Sequence, residues 1–382
     1  MAATVIGALR RFLPGFLRGH PAQDRARRRA IWAITRCRTP AMGGHVHGCS
    51  QCATSQFAYH SCNHRACPQC GRDATARWVR RELGKRVGAP YFMVTFTLPE
   101  ELRALFFTRA AKALYSIFFD AASEALADAL AHPRWLGARR NGFTMVLHTW
   151  NQRLLFHPHI HTIVAGAGID AAGRVVRVKS SDFLVPQPVL RTNFRRLFRQ
   201  KLEALARLPQ HAGLPAVDAA VWTRDWGVHL QPFGDGAHAI KYLGTYVTRT
   251  AISDARILDI GDATVTFRWT DRARGNARRT ETISGIEFVQ RYLRHVLPVG
   301  LRSIRRYGYC HPAAKATRER VAFHTGCTLV VGPPEAGPPR PGHLCPGCGA
   351  PMIPLQKLPA TAGRPALWKS GRSPPPPMTR AA

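Results

Sequence analysis

The segment His157-Pro158-His159-Ile160-His161 runs directly into the apolar stretch Thr162–Ala165. This combination predicts a β-strand, in which alternate side chains share one face, so we expect His159 and His161 to lie side by side. Two neutral imidazoles on one face supply half of the ligands of a divalent metal site. Alternating histidines are costly to bury without partners, so the pattern favours metal binding over a purely structural role.

Ligand chemistry indicates which metal these histidines would hold. Histidine–oxygen coordination with open positions suits Mg²⁺ or Mn²⁺, bridged by a substrate phosphate. The sequence leaves the third protein ligand open among three candidates: His157, Gln152 and His148.

A second pattern, Tyr242-Leu243-Gly244-Thr245-Tyr246, lies in a stretch that predicts a short helix over Ala237–Val247. Residues four apart are neighbours on a helix, so Tyr242 and Tyr246 form a pair of adjacent hydroxyls. Such a pair alone is typical of a protein core, but Lys241 and Arg249 accompany it. Because the pKa of tyrosine is near ~10, its hydroxyl needs a metal-polarised phosphate and nearby positive charge to attack. Histidines and tyrosines together predict cleavage of a phosphodiester through a covalent phosphotyrosine.

Charge points to a nucleic-acid partner. The chain has 382 residues, with 55 Lys and Arg against 22 Asp and Glu, a net charge of +33. Such an excess favours binding to a polyanion, because each neutralised phosphate releases counterions; the alternative is an arginine-rich surface without a partner. No apolar run approaches the ~20 residues of a membrane-spanning helix, so a membrane is not an expected partner.

The first residues, MAATVIGALRRFLPGFLRGHPAQDRARRR, do not have the pattern of a signal peptide, since Arg10, Arg11 and Pro14 interrupt the apolar stretch. We therefore expect a cytoplasmic protein, associated with the nucleoid of a bacterium. In that reducing compartment paired cysteines bind metal more often than they form disulfides.

Six of the ten cysteines fall in a short, histidine-rich stretch. Cys49-x2-Cys52 and Cys67-x2-Cys70 have the spacing of one closed tetrahedral Zn²⁺ site, which would be structural. Cys62 and four histidines of the same stretch could form a second site or replace a ligand: His45, His47, His60 and His64. Cys345-x2-Cys348 is a further half-site with no clear mate, which Cys327, His324 or His343 could complete; Cys310 is more distant.

Four segments follow from these patterns: a basic, partly helical arm (1–36), a zinc-binding module (37–75), a catalytic body (76–310), and a C-terminal segment with a CxxC pair and a disordered Pro-rich tail (311–382). Apolar runs in the body predict strands at Tyr91–Leu98, Phe143–Thr149, His159–Val164 and Val221–Gln231, and a hairpin of Val265–Trp269 with Thr280–Ile283. Further helices are predicted over Leu102–Leu130 and Leu190–Leu205. Strands interleaved with helices, without Gly-rich phosphate turns, predict an α+β fold with helices on one face of the sheet.

Taken together, the motifs resemble the two-tyrosine HUH transposases, specifically the insertion-sequence-91-like family. The resemblance rests on five stretches in this order: His60 to Cys70, Thr95-Phe96-Thr97-Leu98-Pro99, Leu147 to Trp150, His157 to His161, and Tyr242 to Arg249 with Ala251-Ile252. It implies a ferredoxin-like antiparallel sheet with the histidines on a central strand and the tyrosine helix facing it. One departure concerns Ala66, where we would expect a histidine before the second CxxC.

The resemblance also implies roles. His159 and His161 would bind the catalytic metal, Tyr242 and Tyr246 would be the nucleophiles, and Cys49, Cys52, Cys67 and Cys70, with Cys62 nearby, would belong to the N-terminal zinc module. The implied reaction nicks single-stranded DNA at the element ends, forms a 5′-phosphotyrosine and needs no nucleotide cofactor.

Three other functions compete with a rolling-circle-like transposase. A rolling-circle replication initiator would use the same chemistry, whereas a non-catalytic, zinc-dependent DNA-binding protein would form no covalent product. A carboxylate-based transposase is disfavoured because the chain has few acidic residues and no evident matched trio.

Overall fold

The computed structural model describes residues 3–70, 72–247, 251–271, 274–327 and 343–361. Its helices are α1 Val5–Gly19, α2 Arg25–Arg36, α3 Arg72–Leu83, α4 Ala111–Ala131, α5 Gln187–Ala206, α6 Ala237–Val247, α7 Gly285–Leu293 and α8 Lys315–His324. Its strands are β1 Gly44–Cys49, β2 Ser55–Tyr59, β3 Tyr91–Thr97, β4 Gly142–Trp150, β5 Phe156–Ala165, β6 Ala167–Ile169, β7 Val175–Arg177, β8 Gly227–Pro232, β9 Ile257–Ile260, β10 Thr264–Asp271, β11 Ala277–Ser284, β12 Ile304–Gly308 and β13 Met352–Leu358.

A five-stranded antiparallel sheet, in the order β12-β4-β5-β3-β8, places the histidine strand β5 at its centre. Alternate residues of β5 face opposite sides of this sheet. Ile160 and Val164 belong to the core that includes residues of α4 and α5. Ile163 and Ala165 belong to a second core that includes residues of α3 and α6. The predicted α+β class is confirmed.

Helices cover both faces of this sheet, so the expectation of helices on one face is wrong. The physical reason is visible in β4, whose residues are all buried except Trp150 at its end. A strand buried on both faces reads as a continuous apolar run, whereas a half-exposed strand alternates. The run Phe143–Leu147 therefore indicated cover on two sides.

Other elements match their predicted positions with two shifts. The expected helix Leu102–Leu130 is divided into a 3-10 helix, Glu100–Phe107, and α4. The expected strand Val221–Gln231 contains a 3-10 helix before β8 begins at Gly227. The tyrosine helix α6 has its predicted bounds.

Helices α1 and α2 pack together at the position of the predicted basic, partly helical arm. Helix α1 buries Leu9 and Phe12 in a core shared with α7 and β10. A Cβ atom at Gly285 would overlap the Phe12 ring, so the glycine allows α1 and α7 to approach closely. No helix among the described residues is long and apolar enough to span a membrane. The Pro-rich tail, expected to be disordered, lies almost wholly outside those residues.

The turn between β4 and β5 is fixed from several sides. Leu154 is fully buried and has a positive φ of 61°, an unusual conformation for a branched residue. Its carbonyl oxygen accepts a hydrogen bond from His295 Nε2 at 3.0 Å, and the Thr149 hydroxyl lies 3.2 Å from His295 Nδ1. Arg153, the preceding residue, makes a bidentate ion pair with Glu281 at 2.8 and 3.0 Å.

Burial of its ring lowers the pKa of His295 to about 4, from an ordinary value of 6.5. The folded protein keeps this ring neutral, while the unfolded chain takes up a proton below about pH 6.5. The contribution of His295 to stability is thus present above pH 6.5 and lost as the pH falls towards 4.

We therefore predict that His295→Gln makes the free energy of unfolding less dependent on pH between 6.5 and 4. The number of protons taken up on unfolding, which sets this slope, should fall by about one. Urea unfolding at several pH values measures this slope. His132→Gln, at an exposed position after α4, is the control for the loss of a histidine. A variant slope equal to that of the parent would contradict the assignment.

Candidate active site and cysteine clusters

Three imidazoles meet on one face of the central sheet. His159 and His161 lie on β5, and His148 lies directly opposite His159 on β4. Directly paired residues of neighbouring strands point to the same face. One ring nitrogen from each of the three histidines lies within 4.8 Å of the others. This arrangement can provide three ligands to one cation.

His148 is the candidate third ligand that the structure brings into this cluster. The His157 ring instead accepts a hydrogen bond from Arg103 Nη2 at 3.0 Å, and burial, followed by the charge of Arg103, lowers its pKa. Gln152 lies in the β4–β5 turn, where its carbonyl oxygen accepts a hydrogen bond from Arg256. The period of two along β5 cannot reveal His148, because its place depends on the register between strands.

Hydrogen bonds orient the two histidines of β5. His159 Nδ1 donates to the carbonyl oxygen of His157 at 2.7 Å, so the neutral ring carries its lone pair on Nε2. His161 Nδ1 lies 3.1 Å from the Thr95 hydroxyl on β3. Outer contacts of this kind fix the ring orientation of metal-binding histidines. Three imidazole donors fit a transition metal such as Mn²⁺ more closely than Mg²⁺, which prefers oxygen ligands.

The tyrosine helix packs against the same face of the sheet. Ile240 and Leu243 of α6 share a buried core with Val146, the cross-strand partner of His161. Tyr242 is half-buried, and its ring centroid lies 5.4 Å from that of Phe233. Tyr246 lies one turn further along α6. Its side chain, like Thr248 and Arg249, is outside the described residues.

Gly244, between the two tyrosines, has a steric role. A Cβ atom at this position would overlap the Val79 side chain of α3. The glycine therefore lets α6 lie close against α3, which fixes the helix that carries the tyrosines.

Eight cysteines form two clusters, whose members differ from those of the site predicted from the first two CxxC pairs. Cys67 and Cys70 lie with Cys37 and Cys62, whereas Cys49 and Cys52 lie with two C-terminal cysteines, Cys345 and Cys348. The expected single site of Cys49, Cys52, Cys67 and Cys70 is therefore wrong. Spacing identifies a CxxC pair, but the mate of each pair depends on how distant segments pack.

The first cluster has the dimensions of a zinc site. The Sγ atoms of Cys37 and Cys62 lie 3.6 and 3.7 Å from that of Cys70. Four thiolates at ~2.3 Å from Zn²⁺ would be ~3.8 Å apart, so the cluster fits a closed tetrahedral site. Cys37 supplies the fourth thiol, so the cluster has four cysteine ligands without a histidine at position 66. Sequence reasoning missed Cys37 because it is not part of a CxxC pair.

Comparisons with known proteins agree with this architecture. The protein-family model described as "Transposase zinc-binding domain" matches residues 8–98. A second family model, described as "Putative transposase", matches residues 142–318. The protein named "Putative transposase y4qJ" of Sinorhizobium fredii is 34% identical over 395 residues, covering 95% of this chain and 98% of that protein. The chain belongs to the insertion-sequence-91-like transposases.

A second relative of this transposase is the "Transposase for insertion sequence element IS801" of Pseudomonas savastanoi pv. phaseolicola. It is 27% identical over 290 residues, which cover 72% of this chain and 67% of the relative. No solved structure matches the chain. The family identifies DNA as the partner of the transposase, and the zinc-binding domain together with the cysteine clusters supports a structural Zn²⁺.

We predict that His148→Ala weakens Mn²⁺ binding by roughly tenfold or more, because it removes one of three converging imidazoles. Calorimetric titration of the transposase with Mn²⁺ measures the affinity. His157→Ala is the matched control, since it removes a histidine that lies on the same strand as His159 and His161 but outside the cluster. Equal losses in the two variants would contradict the assignment of His148.

Proposed function

We propose that the transposase nicks and rejoins single-stranded DNA through 5′-phosphotyrosine intermediates, in a rolling-circle-like transposition. The observation that carries this proposal is the position of α6, which packs on the sheet face where His148, His159 and His161 converge. A nucleophile, a cation site and the family's DNA substrate would then share one surface.

The cleavage step is a transesterification at phosphorus. A phenol oxygen of Tyr242 or Tyr246 attacks the phosphorus, and the bond from phosphorus to the 3′-oxygen breaks. The phenol gives its proton to solvent, and the departing 3′-oxygen takes one up. When bound, a divalent ion supplies positive charge that polarises the phosphate and favours attack by a weakly acidic phenol.

Rejoining is the reverse reaction with a different strand. A free 3′-hydroxyl attacks the phosphotyrosine, the new phosphodiester forms, and the phenol leaves with a proton. The ester bond to tyrosine conserves the energy of the broken phosphodiester, so this chemistry requires no nucleotide cofactor. A pair of tyrosines allows two such transfers before the DNA is released.

The β10–β11 hairpin offers a surface for DNA next to this site. Two cross-strand pairs on its outer face, Arg268 with Thr280 and Arg278 with Thr270, combine positive charge with hydroxyl groups. Such groups are the common partners of phosphate oxygens. The Arg153–Glu281 ion pair joins this hairpin to the turn between β4 and β5. The hairpin and the histidine strands are therefore mechanically linked.

The central test is the formation of a covalent adduct. We predict that the transposase, incubated with Mn²⁺ and labelled single-stranded DNA from an element end, yields a protein–DNA band on a denaturing gel. The double variant Tyr242→Phe, Tyr246→Phe should reduce this band at least roughly a hundredfold, because the attacking oxygens are gone. Tyr59→Phe, in the cysteine-rich region, is the control and should keep the band.

An adduct of unchanged yield in the double phenylalanine variant would contradict the assignment of Tyr242 and Tyr246 as nucleophiles. DNA binding without any adduct in the parent protein would instead favour the non-catalytic, zinc-dependent DNA-binding alternative.

A further inference from the structure

The second cysteine cluster joins two segments that are far apart in the sequence. Cys49 and Cys52 lie at the β1–β2 turn, and Cys345 and Cys348 precede β13. The Sγ atoms of Cys49 and Cys348 are 3.5 Å apart, and those of Cys52 and Cys345 are 3.3 Å apart. All four lie within 4.8 Å of one another, close to the ~3.8 Å edge of a tetrahedral zinc–thiolate site.

The two halves of this cluster have matching backbone turns. The Ala53 amide donates to the Cys49 carbonyl oxygen at 3.1 Å, and the Gly349 amide donates to the Cys345 carbonyl oxygen at 2.9 Å. The residue after each second cysteine is left-handed, with φ of 55° at Ala53 and 73° at Gly349. An alanine is strained in this region, so the surrounding structure must hold it there.

Apolar packing is too small to explain this part of the fold. The local core consists of four buried side chains: Cys49, Cys345, Ala350 and Met352. Strand β13 leaves Ile353 and Leu355 more than half exposed. A three-stranded sheet with so little buried apolar surface requires another cross-link, commonly a metal or disulfides. The cysteines of the cluster are not bonded to each other, and their sulfurs are well beyond the ~2.05 Å of a disulfide.

We infer that Cys49, Cys52, Cys345 and Cys348 bind a second structural zinc ion, separate from the cluster of Cys37, Cys62, Cys67 and Cys70. Four thiolate ligands leave no open position, so the ion would stabilise and not catalyse. Each thiol gives its proton to solvent as it binds. The ion would hold β13 against β1, where the two strands pair in an antiparallel register from Gly44 to Cys49.

The site completes the zinc-binding region with residues from outside it. The matched zinc-binding domain covers residues 8–98, and the second matched region ends at residue 318, so neither includes Cys345 or Cys348. The geometry of this cluster does not depend on the role of the tyrosines.

Metal analysis of the purified full chain tests this inference. Mass spectrometry of the metal content should give two zinc ions per chain for the parent and one for the double variant Cys345→Ser, Cys348→Ser. The control variant, Cys310→Ala with Cys327→Ala, removes two cysteines outside both clusters and should retain two. One zinc ion in the parent, or two in the serine variant, would overturn the proposal.

A second measurement does not require the serine variant to fold. The parent is titrated with a mercurial that blocks thiols, while a zinc-sensitive dye reports the released metal. The eight clustered thiols should release two equivalents of zinc as they react, whereas Cys310 and Cys327 should react without releasing any. Release of one equivalent after complete reaction would overturn the second site independently.

Discussion

The pairing of β4 with β5 is the constraint on which the candidate active site depends. It places His148 opposite His159, and an irregularity between His148 and Trp150 sets the register at this point. A shift by one residue would turn the imidazoles of one strand to the opposite face and separate the ligands. The buried turn at Leu154, held by His295 and by the Arg153–Glu281 pair, prevents that shift. Remote contacts therefore preserve the geometry of the histidine cluster.

The second requirement is that the tyrosine helix stays against this face. Leu243 supplies the buried contact, and Gly244 permits the close approach to α3. Since α4 and α5 cover the opposite face, the central sheet has apolar support on both sides. The histidine cluster thus lies on a sheet that is supported on both sides, as the proposed reaction would require if several polar groups must meet one phosphate.

Local patterns of the sequence predicted the elements well. The alternating histidines identified the central strand, and the helical pattern over Ala237–Val247 identified α6 with its observed bounds. Features that depend on distant contacts were not predictable in this way. His148 required the strand register, and Cys37 has no neighbouring cysteine to mark it. The pairing of Cys49 with Cys348 joins segments whose proximity no local spacing encodes. Local spacing therefore grouped Cys49 and Cys52 with the CxxC pair at 67–70, whereas they lie with the pair at 345–348.

An anomalous-scattering map from crystals of the full chain grown with Mn²⁺ tests whether the histidines and tyrosines share a cation. We expect one strong manganese peak bound by nitrogens of His148, His159 and His161, with a phenol oxygen of Tyr242 or Tyr246 facing it. A peak at other ligands, or both phenols directed away from the histidines, would contradict the central claim that imidazoles and tyrosines act around one cation.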